Sequence, residues 1–288
     1  MQTKSIQWIL LIVLSLIWGS SFILIKKGLE NGLSAYQLGA FRIVFSALFL
    51  ALVGFKSIRY IKQFQWKYIA ITALFGTFIP AFLFAIAETK VSSSVCSILN
   101  SLTPLNTLLL GSLAFGLTVK RNQFFGVCIG LIGTSILILN GKQQTSENYY
   151  YAILVIVASM CYGLNVNLVK KFLSDVKPLS ITTGNFLVLF FPALFVLLNT
   201  DVASKVDVLS FQKGMFYIAI LGVIGTGIAN IIFFRLIQIS TTVFATSVTY
   251  LIPIVAFFWG LLDNEALTTT QFMGALIILA GVFLANKK

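Results

Sequence analysis

The chain has 288 residues, 58% of them hydrophobic and only 10% charged, with a formal net charge of +12. A soluble domain carries about a quarter charged residues, and a mean hydropathy of +0.98 implies more apolar surface than one aqueous core can bury. These values exclude a soluble enzyme and predict an all-α integral membrane protein. Its basic residues recur between apolar runs instead of forming one patch, which excludes a nucleic-acid partner.

In chain order, runs long enough to cross a bilayer, about 17–25 residues each, are separated by charged or Gly/Pro/Asn-rich breaks. The first lies near 8–25. It exceeds the h-region of a secretory signal, about 7–15 residues, and ends in Lys26 and Lys27 without a small-residue cleavage site. It is therefore expected to remain as a helix. Its centre is polar and small where hydrocarbon surrounds it: Trp18, Gly19, Ser20, Ser21. The second run, 36–55, carries Arg42. The third, 68–87, ends at Glu88, which reads as a solvated helix end beside Lys90. The fourth, 92–115, sets Ser97, Asn100, Pro104 and Thr107 on one helical face. The fifth, 123–139, bears Gly126, Gly130 and Gly133 and reads as a packing helix. The polar stretch NGKQQTSEN then breaks the chain at 140–148. The sixth run, 149–169, holds YGLN at 162–165, and the seventh and eighth fall at 179–198 and 215–234. The ninth, 241–262, carries Thr246, Thr249, Tyr250 and Pro253. The tenth, 268–285, has Gly274 and Gly281.

Ten spans place both termini on one side. Lys4, Lys56, Arg59, Lys62, Lys67, Lys120, Arg121, Lys170, Lys171 and Lys177 then fall on the side of the termini. Every acidic residue except Asp175 falls opposite. Positive charge is retained in the cytoplasm, so both termini are expected there.

The halves resemble each other. At an offset of 149, GTFIPAFLF (76–84) faces GTGIANIIF (225–233), and SILNSLTPLNTLLLG (97–111) faces TSVTYLIPIVAFFWG (246–260). At an offset of 144, IWGSSFILIKK faces CYGLNVNLVKK, pairing Trp18 with Tyr162 and Ser21 with Asn165. The expected units are 1–140 and 149–288, joined by a loop at 141–148. Five helices is an odd number, so the second unit enters the membrane from the opposite face. That makes an inverted repeat with a site near the midplane, where the units meet.

Ten helices in two halves, WGSSF on the first helix, and a Ser/Thr-rich entry with a proline on the fourth and ninth resemble the drug/metabolite transporter superfamily, in particular its EamA-type group. The resemblance implies alternating-access export or exchange of a small metabolite, often an amino acid or a relative, across the inner (cytoplasmic) membrane. The expected cavity residues are Trp18, Ser20, Ser21, Arg42, Ser97, Asn100, Tyr162, Asn165, Thr246, Thr249 and Tyr250. For the hydroxyls and amides the competing reading is helix packing, since serines also bond back along their own helix. Arg42 has two readings of equal weight: recognition of a substrate carboxylate or phosphate, or a structural role, snorkelling to the outer headgroups or bonding to helix carbonyls. Its place in the second half falls near Leu187. Asn167, Asn185 and Asn230 read as packing contacts.

The absences also guide the reading. The chain has no histidine, and no carboxylate lies deep in a span, so the relay common in proton-driven carriers is missing. Exchange or facilitated diffusion is expected, with Glu88 the sole candidate proton site. Cys96, Cys128 and Cys161 sit inside apolar runs and read as small buried hydrophobes. No metal or other cofactor is expected. The partners are a small-molecule substrate and the bilayer, with the chain as a monomer or homodimer. A channel or a non-transporting accessory protein is the alternative reading.

Overall fold

The computed structural model describes residues 2–116, 121–139, 146–263 and 269–286, all helix, turn or irregular segment with no strand among them. In chain order the α-helices are α1 (Gln2–Glu30), α2 (Ala35–Gly54), α3 (Trp66–Ala73), α4 (Ile79–Ala87), α5 (Ser93–Asn100), α6 (Thr103–Phe115), α7 (Arg121–Leu139) and α8 (Ser146–Phe172). There follow α9 (Pro178–Leu198), α10 (Val202–Lys205), α11 (Leu209–Ile220), α12 (Ala229–Ile239), α13 (Thr242–Thr246), α14 (Val248–Leu262) and α15 (Thr269–Asn286). Several join into continuous rods, and among the described residues 8 helical segments are long and apolar enough to cross a membrane. The two other expected spans fall on α7 and α15, 19 and 18 residues long, which pack along each other. The first part of the expected loop, 141–145, lies outside the described residues, and its last three positions, 146–148, belong to α8.

Local signals explain where the rods begin. Ser34 and Gln37 form a reciprocal capping box at the start of α2. Ser92 accepts from the Val95 N–H ahead of α5, and Thr241, its match at offset 149, accepts from the Phe244 N–H ahead of α13. The outer surface is apolar: Leu52, Leu113, Leu198 and Phe191 are all more than two-thirds exposed, a surface suited to acyl chains.

Two rods are not plain α-helix. A π-turn at Leu74–Phe78 joins α3 to α4, and a longer one at Leu221–Ile228 joins α11 to α12. Both contain the glycine-threonine pair matched between the halves, Gly76-Thr77 and Gly225-Thr226. The expected fourth span is also broken, at Ser101-Leu102, so Pro104 stands in the first turn of α6, where its missing N–H costs little. Pro253 does lie inside a helix, α14.

The packing pairs one half with the other. Helix α1 lies on α14 as α8 lies on α6, and α2 lies on α9. Close approach requires glycine at the two crossings. A methyl group at Gly19 would lie 2.4 Å from Cβ of Val255 in α14, and one at Gly163 would lie 2.8 Å from the Thr107 backbone nitrogen in α6.

Candidate functional site

A cavity of about 80 Å³ lies where the middles of α1, α8 and both π-turns converge. At about 10–15 Å³ per water centre, it admits several waters or the polar part of a small metabolite. Its walls come in matched pairs. Trp18 packs its ring edge-on against Phe233 at 4.8 Å, and Tyr162 stacks on Phe84 at 6.0 Å. Phe84 and Phe233 correspond at offset 149, as Trp18 and Tyr162 do at 144. A methyl group at Gly76 would collide with the Asn165 amide at 2.5 Å, and one at Gly225 would meet the Ser21 hydroxyl at 2.9 Å. The two π-turn glycines thus make room for the matched polar side chains of α8 and α1.

The second π-turn also offers backbone acceptors to side chains. Trp18 Nε1 donates to the Gly225 carbonyl at 3.1 Å, and Thr226 Oγ1 donates to the Leu221 carbonyl at 3.0 Å. Irregular backbone of this kind is tolerated in a membrane helix where protein or cavity water satisfies it.

Arg42 reaches inward from α2. Its Nε donates to Thr226 Oγ1 at 2.6 Å, and the side chain lines the cavity. Counted from the first residues of α2 and α9, the position matching Arg42 holds the polar Asn185, two residues before Leu187; Asn185 is buried and shares a 3.2 Å hydrogen bond with Thr72.

Of the residues expected from sequence, Trp18, Ser21, Arg42, Asn100, Tyr162, Asn165, Thr246 and Thr249 line the cavity. Ser20, Ser97 and Tyr250 do not. Ser20 lies one position, about 100°, around α1; it donates to the Leu16 carbonyl and accepts from Trp259 Nε1. Ser97 is buried and donates to the Ser94 carbonyl, while Tyr250 packs against the apolar core. Asn230, expected to be a packing residue, lines the cavity, whereas Asn167 does pack, donating to the Thr107 and Gly163 carbonyls. Glu88 is a half-buried C-cap and not a solvated end; its Oε2 accepts from Ser93 Oγ at 2.8 Å. Sequence reasoning missed Thr77, Phe84, Thr226 and Phe233 as wall residues. All four are identities between the halves, so the repeat itself carried the signal.

The amide oxygen of Asn165 is buried with no hydrogen-bond partner, although the residue is only 3% exposed. No acidic side chain lines the cavity, and among the described residues no cluster of His, Cys, Asp or Glu could hold a metal ion. All three cysteines are free thiols.

One end of the molecule is tied by charge. Lys26 and Lys27, at the end of α1, reach Asp263 at the end of α14, at 2.6 and 2.5 Å, and Lys27 also meets Glu30 at 2.9 Å. Burial alone would push the Asp263 carboxyl up, but the hydrogen bonds from both lysines outweigh it and hold the carboxyl below the usual range. Among the described residues the corresponding lysine of α8, Lys171, pairs with no acid, and it lies 5.3 Å over the Phe115 ring.

Fold and site together define a multi-pass membrane protein made of two copies of one helical unit that share an internal cavity. The EamA-like transporter family matches residues 6–139 and again 150–287. The chain belongs to that family. It is 26% identical to the uncharacterized inner membrane transporter YedA of Escherichia coli (strain K12), over 96% of this chain and 89% of YedA. It is 23% identical to a probable amino-acid metabolite efflux pump of the same organism, over 96% and 93% of the two chains. An uncharacterized transporter of Archaeoglobus fulgidus is 23% identical over 98% and 99%. A solved crystal structure shares the fold with a TM-score of 0.69 at 14% identity, covering 99% of this chain and 97% of the other.

Proposed function

We propose that the protein is a secondary transporter of the inner membrane that moves a small metabolite, an amino acid or a related compound, by export or exchange. In this reading ten helices form two inverted five-helix units with both termini in the cytoplasm, and alternating access arises when the units exchange conformations. The observation that carries it is the cavity whose walls are contributed in matched pairs by the two halves. The name of the amino-acid metabolite efflux pump supports the substrate range.

The ends of the matched helices support alternation. Ser93, Ser94, Val95 and Ile98 are buried, while their partners Thr242, Val243, Phe244 and Ser247 are half-buried. One end is thus closed more tightly than the other, and it is the end carrying the Lys26–Lys27–Asp263 tie. The absence of an acid from the cavity wall favours exchange or facilitated diffusion over proton coupling.

Counterflow in proteoliposomes tests the reading. Vesicles loaded with a mixture of unlabelled amino acids should accumulate at least one external labelled amino acid transiently, saturably and stereoselectively, with lumenal pH unchanged. Non-saturable flux would make it a channel, and stoichiometric pH change would overturn the coupling.

A further inference from the structure

We infer that the solute carries one carboxylate and no net positive charge, and that Arg42 is the residue that selects it. This rests on the transport reading above. Arg42 is a cation half-buried in the protein interior, facing a cavity and not lipid or headgroups. Among the described residues its one side-chain hydrogen bond is from Nε to Thr226, and no carboxylate forms a contact ion pair with it. The charge of Glu88 also acts on it, while Glu88 Oε2 accepts from Ser93 Oγ. A cation in such surroundings is costly unless a counter-charge reaches it. With Nε held by Thr226, the two terminal amino groups remain as a fork of the kind that takes a carboxylate by two parallel hydrogen bonds.

The rest of the wall narrows the class. Among the described residues that line it Arg42 is the only charged one, so a single carboxylate meets the guanidinium without excess negative charge, whereas a phosphate dianion leaves one negative charge over. No acid is present to receive an ammonium-only ligand or a second positive charge. The unpartnered oxygen belongs to Asn165, a residue of the same wall, so a solute that also offers an N–H or O–H would supply the partner it lacks. Trp18, Tyr162, Phe84 and Phe233 supply an apolar and aromatic remainder. Zwitterionic amino acids with neutral side chains, and hydroxy monocarboxylates, meet all three conditions; diamines, basic amino acids and amides do not.

The test loads proteoliposomes with an equimolar mixture of neutral L-amino acids, their α-amides, the amines lacking the carboxylate, and 2-hydroxy monocarboxylates. The internal solutes are isotope-labelled and the bath holds the same mixture unlabelled, so that export and exchange both register, and release is read by mass spectrometry. The parent should release at least one acid ten or more times faster than its matched amide and amine. Arg42→Gln should lose that release by tenfold or more, and Arg42→Lys should fall between, because an ammonium keeps the charge without the fork. Size-exclusion profiles and thermal midpoints check that both variants fold, and the acid-against-amide comparison in the parent needs no variant at all. If amides or amines leave as fast as acids, or if folded Arg42→Gln exports like the parent, the carboxylate assignment falls while the transport reading stands. If nothing leaves parent vesicles, both fall.

Discussion

Thr226 uses one oxygen twice, donating to the Leu221 carbonyl inside the π-turn and accepting from Arg42 Nε. Thr226→Val removes both bonds at almost constant volume and leaves a cationic donor unpaired, which costs about 1–3 kcal/mol. A lower unfolding midpoint is expected, together with reduced carboxylate release, and Thr226→Ser should restore both because it keeps the oxygen. Trp18 separates two contributions in the same way. Trp18→Phe keeps a ring against Phe233 but loses the bond to the Gly225 carbonyl, an effect of about 0.5–1.5 kcal/mol. Trp18→Ala also empties the wall, and its cost should approach about 3–5 kcal/mol. Midpoints of the two variants in detergent that coincide would show that the ring contributes nothing. Most of this site was legible in sequence because the offset between halves paired Trp18 with Tyr162 and Ser21 with Asn165. What hid the rest was angle: Ser20 and Ser21 are neighbours in sequence, yet only Ser21 faces the cavity.

The helices depend on small residues and on one charged tie. Gly163 touches the backbone of α6, so Gly163→Ala must push two helices apart; a clear drop in the unfolding midpoint is expected, larger than at an exposed helix position, where such a change would stabilise. The tie between α1 and α14 has a definite pH signature. Asp263 titrates below its ordinary value of 3.8 in the folded protein, so its stabilising contribution is complete above that value and is lost as the pH falls through the lower folded one. The midpoint difference between the parent and Asp263→Asn should therefore stay constant from about pH 5 to 8 and shrink only below about pH 4. A difference that vanishes near neutrality would assign the effect to another group. Periodicity cannot show the π-turns, because LFGTF and LGVIGTGI are apolar enough to continue as ordinary helix. The break at Ser101 was equally hidden, since Thr103 Oγ1 replaces a helical bond by donating to the Asn100 carbonyl.

The duplicated unit was legible because its caps, glycines and aromatic residues recur at fixed offsets, whereas the state of the molecule is not written in any one segment. Helices α5 and α13 share a capping pattern but differ in burial, a difference that belongs to the assembled protein. If two equivalent halves alternate, the burial should exchange in the other state: the surroundings of Ser94 open while those of its match, Val243, close. On that reading the tie at Asp263 should stabilise one of these states only, because among the described residues Lys171, the match of Lys27, pairs with no acid. Single substitutions Ser94→Cys and Val243→Cys, in a background whose three native cysteines are replaced, make this measurable with a water-soluble maleimide. In the parent, position 243 should label faster than position 94. Adding Asp263→Asn should speed labelling at 94 and slow it at 243, the opposite signs being the mark of one shared equilibrium. Rates that rise together would mean local loosening, and rates unmoved at both positions would mean the tie does not bias the two states.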